Sequence, residues 1–327
     1  MIVAQGNRGG GEIDARTLLQ QLGSPAPLPA FVNCYAPVEA PPLRAPTTIA
    51  TAWGEGFGDF GHDGADRNGA GLDRSLGGFI VGYDAPLHGF GAPYRIGVAG
   101  GYTNDSFSGT GVGGSGSGGT FESVFGSIYG GARYGAVDLR LGAAVAGTSS
   151  TVDRAVAYPG FLDHAHSNYG GNTEQVFGEV GYRFSGARWV VEPVADAAFI
   201  HVHQDGFHER GGVAALTGFA QDDDVGTTTL GARGEIAPFT GVPLVARAFL
   251  GWRHAFGDVD PGTRLAFQAG SIPFTSQGAA LDRDAFASEA GLDWRFSGAL
   301  TLCLAYTGQI GERDIDNGVK GRFEYKF

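Results

Sequence analysis

The stretch that decides the fold is formed by residues 318 to 327, which read GVKGRFEYKF. Apolar residues and glycine alternate there with charged residues. The first set is Val319, Gly321, Phe323, Tyr325 and Phe327, and the second is Lys320, Arg322, Glu324 and Lys326. Because successive side chains of a β-strand point to opposite sides of the sheet, this period of two predicts a strand with one apolar and one charged face.

The same alternation recurs upstream. Leu302, Leu304 and Tyr306 alternate with Thr301, Cys303 and Thr307. We identify twelve such runs, separated by turns rich in Gly, Asp, Asn and Pro. They begin near Thr51, Leu72, Pro93, Thr120, Ala136, Asn172, Ala187, Asp223, Val242, Asp282, Ala299 and Gly318. Each run with its connection takes about 23 residues, enough for the ~9 to 11 residues of a tilted membrane strand plus an extension and a turn.

The charged faces decide between two all-β architectures. A soluble β-sandwich would bury the apolar rows between two sheets and expose the charged rows. Aromatic residues at strand ends, such as Trp189, Phe199, Trp252 and Phe256, favour the alternative, in which they form belts at two membrane interfaces. We therefore predict a transmembrane antiparallel up-and-down β-barrel of twelve strands, with the charged rows inside because Arg at mid-membrane is costly.

The predicted polar lining of the lumen combines both charge signs, which suits a hydrogen-bonded interior. It comprises Arg140, Glu179, Arg183, Glu192, Asp196, Arg233, Glu235, Arg247, Arg253, Glu289 and Arg295. The connections alternate between short turns and long loops, as expected for periplasmic turns and extracellular loops. The predicted long loops are residues 107 to 120, 157 to 171, 206 to 222 and 258 to 281.

Residues 1 to 50 differ from the barrel region 51 to 327. Residues 12 to 22 could form a short helix, but seven prolines from Pro25 to Pro46 exclude regular structure after it. We interpret this stretch as a leader or linker that could occupy the lumen. It lacks a basic segment followed by an apolar run, so we do not expect a secretory signal at its start.

Composition excludes several classes of protein. No apolar run is long enough for a membrane-spanning helix, and the net charge of −12 argues against nucleic-acid binding. Cys34 and Cys303 lie far apart and lack the spacing of a zinc or redox motif, so we expect two unpaired thiols.

Three motifs suggest chemistry but are better explained otherwise. The GxGxxG pattern at residues 111 to 116 precedes no helix and is interpreted as a loop. The pairs His164 with His166 and His201 with His203 have the spacing of metal ligands on one side of a strand, yet no third ligand lies near them in sequence. The acidic run of residues 222 to 224 lacks the EF-hand spacing. We expect no metal, no cofactor and no catalytic site.

Several segments, taken in order, resemble the autotransporter β-barrel family. They are TAWGEGFGDFGHDG, GLDRSLGGFIVGYDAP, RIGVAGGY, YGGARYG, QVFGEVGY, LGWRHAFGDV and GRFEYKF, and they extend over residues 51 to 327. The resemblance implies a twelve-stranded translocator domain of type V secretion in the outer membrane, through which an upstream passenger reaches the cell surface. Family members usually thread a helical linker through the lumen, whereas residues 36 to 50 here are too rich in proline for a regular helix.

The resemblance also implies partners. These are outer-membrane lipid and lipopolysaccharide, the chain's own passenger, and the barrel assembly machinery, which would recognise Phe323, Tyr325 and Phe327 in the last strand. We expect a monomer that is not an enzyme. Two alternatives stay open at this point: a stand-alone pore for small solutes, and an adhesin or enzyme that acts through its long loops.

Overall fold

A computed structural model describes residues 50–63, 72–87, 94–110, 116–239, 241–260, 262–277, 281–312 and 314–327. Within these ranges the chain forms strands, turns and bends only. Twelve long strands form one sheet: β1 (Thr51–Asp63), β2 (Leu72–Leu87), β3 (Tyr94–Thr110), β4 (Gly116–Tyr134), β5 (Val137–Tyr158), β6 (Phe161–Tyr182), β8 (Trp189–Gln204), β12 (Gln221–Ile236), β13 (Leu244–Gly257), β16 (Asp284–Arg295), β17 (Leu300–Ile310) and β18 (Asp314–Lys326). No helix among the described residues has the length and hydropathy needed to cross a membrane.

The twelve strands close into an antiparallel barrel. Each pairs with its neighbours in sequence order, and the first strand pairs with the last, with Thr51 opposite Lys326. The ring is completed between β6 and β8, where Gly171 lies opposite Gln204. Closure matters because an open sheet would leave unpaired backbone groups along two edges, which hydrocarbon does not tolerate. The predicted fold class and strand number are confirmed.

The alternation sorts the side chains between two surfaces. Leu141 and Leu304, on the outer row of their strands, are 67% and 66% exposed, whereas Glu324, on the inner row of β18, is completely buried. A soluble protein would have the opposite distribution, since water solvates carboxylates and excludes large aliphatic groups. The outer surface is therefore apolar around a polar interior.

The barrel has two different ends. Both the start of β1 and the end of β18 lie at the terminal end, where the connections are short. One of these is the turn from Tyr134 to Val137, where Gly135 adopts a φ of 62°, a conformation that favours glycine. The opposite end, called the loop end here, carries the connections between β8 and β12 and between β13 and β16.

Two predicted loops were wrong in extent. Most of residues 157 to 171 belongs to a hairpin, because β5 and β6 each run for 22 residues and meet at a turn in which Gly160 has a φ of 84°. Likewise, β3 extends to Thr110 and β4 begins at Gly116. In both places backbone pairing continues beyond the apolar surface, and a Gly-rich composition did not prevent it.

The other two long loops contain short strands. These are β9 (Phe207–His208), β10 (Arg210–Gly211), β11 (Leu216–Gly218), β14 (Gly262–Phe267) and β15 (Phe274–Gln277), and a further short strand, β7 (Phe184–Ser185), lies at the terminal end. Four of them form a second sheet in the order β15, β14, β11, β9. The first 49 residues, including the predicted leader and its short helix, lie outside the described residues.

Candidate functional site: the barrel interior

The predicted lumen residues have inner-row positions on six neighbouring barrel strands, which are β5, β6, β8, β12, β13 and β16. Ten belong to barrel strands, and Arg183 lies between β6 and β7. Their positions follow from the period-two pattern, since each alternates with a residue of the outer row. The interior is thus lined by charges that hydrocarbon could not accommodate.

One part of this lining is a continuous ion-pair network across four strands. Arg140 on β5 bonds to Glu179 on β6, and Arg233 on β12 bonds to the other oxygen of Glu179. Arg140 Nη2 also lies 3.3 Å from Oε1 of Glu192 on β8. Each carboxylate is buried beside a guanidinium, so the wall carries both positive and negative charges. The ion pairs also connect four neighbouring strands and stabilise their register.

A second network lies across β13, β16 and β18. Lys320 Nζ lies 2.5 Å from Glu289 Oε2, and Arg247 Nε lies 3.4 Å from Asp293 Oδ1. Arg74 on β2 bonds to Asp316 on β18, which extends ion pairing toward the loop end. Lys320 belongs to a charged row that was predicted to lie inside, but Asp293, Arg74 and Asp316 were not named in the predicted lining. The parity of Asp293 with Glu289 on β16 and of Asp316 with Glu324 on β18 was the sequence signal that could have identified these two residues.

The inner face of β1 to β4 has a different character. Trp53, Ile80, Ala99 and Tyr129 form a buried cluster against which Phe57 and Phe125 pack. Trp53 Nε1 donates to Tyr129 Oη at 2.9 Å, and the guanidinium of Arg322 lies 4.4 Å from the centre of the Trp53 ring. These aromatic side chains were not predicted to face inward. Two features of the sequence could have indicated it: Trp53 lies on the same row of β1 as Glu55, and the opposite row contains the small residues Ala52, Gly54 and Gly56.

The expectation of two unpaired thiols was wrong for Cys303. This residue lies on the inner row of β17, is buried, and is disulfide-bonded. The other cysteine of the sequence, Cys34, lies outside the described residues. Spacing along the chain could not reveal the bond, because a disulfide requires proximity in space and not in sequence.

At the loop end, the two long loops fold against the inner wall. We call the described parts of residues 205–220 and 258–283 the loop cap. Its Phe207, Leu216 and Leu265 form a buried cluster with inner-row side chains of β3 to β6. Those wall residues are Phe107, Phe121, Val152 and Tyr169. The Tyr169 and Phe207 rings stack with centroids 4.8 Å apart. Burial of this apolar surface holds the cap to one side of the mouth.

A buried ion pair connects the same two parts. Arg154 Nε lies 2.9 Å from Glu209 Oε1, and Arg154 Nη2 donates to the Ala214 carbonyl at 2.8 Å. Glu209 Oε2 also accepts from the backbone N–H of Leu216 at 2.8 Å. The two side chains are 6% and 2% exposed, so neither charge can be solvated if its partner is lost.

The remainder of the cap contacts the opposite wall. Val259 and Leu281 pack with Ile200, Val202, Val225 and Ala255, which lie on the inner rows of β8, β12 and β13. Both halves of the rim therefore contribute apolar contacts to the loops. The arrangement closes at least part of the mouth at the loop end.

Of the three aromatic residues predicted as an assembly signal, Phe323 and Tyr325 lie on the outer row of β18, and Phe327 directly follows this strand at the terminal end. Phe323, Tyr325 and Phe327 are all about half exposed or more. The backbone N–H of Phe327 donates to the Ala50 carbonyl at 3.1 Å, so this residue also takes part in closing β18 against β1.

The histidine pairs and the acidic run do not form a metal centre in the structure. Among the described residues, no group of three or more His, Cys, Asp or Glu side chains is arranged to hold a metal ion. His201 and His203 instead lie on the outer row of β8, opposite Asp224 and Asp222. The GxGxxG segment falls outside the described residues except for Gly116, which begins β4.

Comparison with known proteins identifies relatives of this barrel. Residues 52–307 match the family model described as autotransporter beta-domain. An extracellular serine protease of Serratia marcescens is 31% identical over 277 residues, which is 84% of this chain and 26% of the protease. The chain thus spans about a quarter of the length of that relative.

Solved structures with the same architecture are more distant in sequence. The translocator domain of the autotransporter NalP from Neisseria meningitidis aligns with a TM-score of 0.67 at 13% identity, covering 86% of this chain and 90% of that structure. The transport unit of the autotransporter AIDA-I from Escherichia coli aligns with a TM-score of 0.65 at 14% identity, covering 99% of both chains. At these identities the likeness shows the fold.

Proposed function

This chain belongs to the autotransporter β-domain family, and we propose that its barrel provides the route by which a polypeptide is exported. As a member, it is an outer-membrane β-barrel translocator that lets an N-terminal passenger reach the cell surface. The termini of the barrel then face the periplasm and the loop end faces the outside, as for barrels with short periplasmic turns. The observation that carries the proposal is a closed ring of twelve strands with an ion-paired interior.

The proposed route runs between two unlike walls. Eight strands leave an interior just filled by side chains and sixteen leave an open channel, so twelve give a narrow lumen wide enough for one or two extended strands or one helix. The network around Arg140 and Glu179 offers donors and acceptors to a peptide backbone, and Trp53 with Tyr129 offers apolar contact. No nucleotide site is required if folding of the passenger outside the cell drives export.

The loop cap bears on the alternative of a solute pore. Because both halves of the cap pack on the inner wall, free diffusion through the folded barrel is disfavoured. Export requires the cap to move aside, and burial of the Arg154 and Glu209 pair stabilises the closed arrangement afterwards. We propose that the cap closes the lumen when no chain occupies it.

We also propose that this chain has no catalytic role. The name of the Serratia relative describes a protease activity of a much longer protein, of which this chain covers 26%. What the passenger of this protein does is therefore a separate question. The barrel alone supplies a passage and an anchor.

The partners follow from this role. We propose that the outer row contacts lipid of the outer membrane, including lipopolysaccharide in the outer leaflet, and that the barrel acts as a monomer, since the closed ring leaves no strand edge open for pairing. We propose that the barrel assembly machinery recognises the exposed aromatics of β18 during insertion.

Replacing Phe327 with Ala tests this recognition. The backbone hydrogen bond to Ala50 is retained, and the loss of a lipid-facing ring costs no more than roughly 1.5 to 3 kcal/mol. We expect near-normal refolding into detergent micelles but a large loss of inserted protein in cells, measured by quantifying the outer-membrane fraction.

The matched control is Phe296→Ala, which removes another exposed aromatic at the terminal end, outside the last strand. It is expected to refold and to insert in cells. Equal outer-membrane levels for the two variants would contradict a recognition role, and failure of Phe327→Ala in both assays would show a purely structural one.

Export itself is tested by attaching a small epitope-tagged passenger with a secretory signal upstream of residue 1. In intact cells, the tag is expected to be accessible to antibody and to added protease, while the barrel fractionates with the outer membrane. A barrel that inserts normally while its tag stays in the periplasm would contradict the translocator function.

A further inference from the structure

The outer surface of the barrel carries a band of paired histidines and aspartates near the loop end. Four pairs lie directly opposite each other on neighbouring strands. They are His62 with Asp73, His201 with Asp224, His203 with Asp222, and His254 with Asp284. We call these eight residues the His–Asp band. In each pair Nδ1 of the imidazole lies between 2.6 and 2.9 Å from a carboxylate oxygen.

The band lies beside exposed aromatic residues of the outer surface, toward the loop end. On three strands its histidine follows an exposed aromatic residue at the next position of the outer row: His62 follows Phe60, His201 follows Phe199, and His254 follows Trp252. Trp252 Nε1 even donates to Asp284 Oδ1 at 3.0 Å. Aromatic belts lie at the level of the lipid headgroups. The band is therefore placed against the headgroups of the outer leaflet.

The charges of this surface are unusual for a protein that contacts anionic headgroups. Every Arg and Lys that the structure describes within the twelve barrel strands has inner-row parity, whereas Glu122 and Glu174 join the four aspartates on the outer row. With neutral imidazoles, each pair carries one negative charge. With imidazolium, each pair is neutral. At His62 and His254, Nε2–H then becomes a donor directed away from the carboxylate at Nδ1, whereas Nε2 of His201 and of His203 lies 3.8 Å and 3.4 Å from Asp222 and Asp205, respectively.

We infer that the His–Asp band is a contact surface for phosphate-bearing headgroups of the outer leaflet, and that this contact strengthens as the medium becomes acidic. The inference rests on the proposed function only in requiring that the barrel span the outer membrane. At neutral pH the band repels phosphate. Protonation reduces that repulsion, and at His62 and His254 it supplies Nε2–H donors to phosphate oxygens.

The surroundings of His201 and His203 favour the protonated form of these two side chains. His201 is faced by Glu174 of β6 and by Asp222 and Asp224 of β12. His203 is faced by Asn172 of β6, by Asp222, and by Asp205, whose carboxylate lies 3.4 Å from Nε2.

Hydrogen bonds with Asp224 and Asp222 raise the pKa of His201 and His203, respectively, and both groups lie beyond the apolar membrane band. His254 faces Thr228 and Asp284, and His62 faces Ile315 and Asp73. A raised pKa means that the charged form is present below it and is lost as the pH rises, so acid favours the contact.

The test uses the whole chain refolded into vesicles of phosphatidylcholine alone or of phosphatidylcholine and anionic phosphatidylglycerol in equal parts. Urea unfolding is followed at about pH 7.5 and about pH 5.5, on either side of imidazole titration. In anionic vesicles, acidification is expected to lower the unfolding equilibrium constant by at least about fivefold more than in phosphatidylcholine, the effect of one cation near an anionic surface.

A variant with Gln at His62, His201, His203 and His254 is expected to lose this difference between the two vesicle types. The control is His166→Gln. His166 forms the same kind of pair with Asp153, at 2.8 Å, but lies eight residues beyond Glu174 along β6, far from the headgroups, and it faces Arg210 of β10. The control should behave like the wild type.

Two results would overturn the inference. One is an equal effect of acid on the unfolding equilibrium constant in both kinds of vesicle, which would mean that the titrating groups do not contact the headgroups. The other is an unchanged difference in the variant with four substitutions. A further variant, Asp222→Asn with Asp224→Asn, is expected to strengthen the anionic contact already at neutral pH. Refolding into vesicles requires no passenger, so a failure of export in cells would not affect these results. Likewise, a negative result in vesicles would not contradict the translocator function.

Discussion

Replacing Leu141 with Arg is expected to destabilise the barrel in a lipid bilayer by about 2 to 4 kcal/mol. Leu141 lies in the middle of the apolar outer row of β5, which runs from Val137 through Leu139 and Ala143 to Val145. A guanidinium at this depth must leave water or drag water into the membrane. The measurement is the free energy of unfolding in urea for protein refolded into lipid vesicles.

The control for this substitution is Ser149→Arg on the same strand. Ser149 is exposed on the same outer row, eight residues after Leu141, beyond the apolar part of the strand. Near the interface the same substitution costs only about 0 to 1 kcal/mol. Similar small effects at both positions would mean that the outer row of β5 faces water, which would contradict a membrane-spanning barrel.

Replacing Arg154 with Met is expected to release the loop cap. The substitution leaves Glu209 buried without its cation, and breaking a buried pair in this way costs about 3 to 5 kcal/mol. The packing of Phe207 and Leu216 on the inner wall is expected to weaken with it. We expect increased conductance in planar bilayers and faster proteolysis within residues 205–220.

The double variant Arg154→Met, Glu209→Met distinguishes loss of the pair from exposure of a buried charge. Apolar side chains of similar volume can replace a buried ion pair at little cost, so the double variant should close again and conduct less than the single variant. If the single variant conducts no more than the wild type, the cap does not control access to the lumen.

The period of two allowed most of the barrel wall to be predicted from sequence. From Lys320 to Lys326 every second residue is charged, so the assignment of Lys320 and Glu324 to the interior follows from parity once one face must meet lipid. The same reasoning located Arg140, Glu179 and Arg233. Strand number could be predicted because each run was separated from the next by turn residues.

Features that depend on contacts between distant segments could not be predicted. The cap contains residues typical of loops, and its order comes from Phe207 and Leu265 meeting wall residues far away in sequence. The inward direction of Trp53 was not predicted either, although small residues of β1 occupy the outer row. The length of β5 and β6 was underestimated, since Gly and polar residues usually mark loops.

The disulfide at Cys303 and the pairing of His201 with Asp224 belong to the same class of feature. Each depends on register between strands or on proximity within the ring, and neither leaves a signal in local spacing. The position of Cys303 on the inner row could be predicted from parity, but its disulfide bond could not.

The central claim, that twelve strands close into a barrel spanning the outer membrane, is tested most directly by electrophoresis of protein extracted from the outer-membrane fraction. A closed barrel satisfies all its backbone hydrogen bonds within the ring and resists unfolding by detergent. The protein is expected to require detergent for extraction and to migrate differently in a denaturing gel before and after boiling. A monodisperse monomer that is soluble without detergent, with the same mobility before and after heating, would contradict the claim.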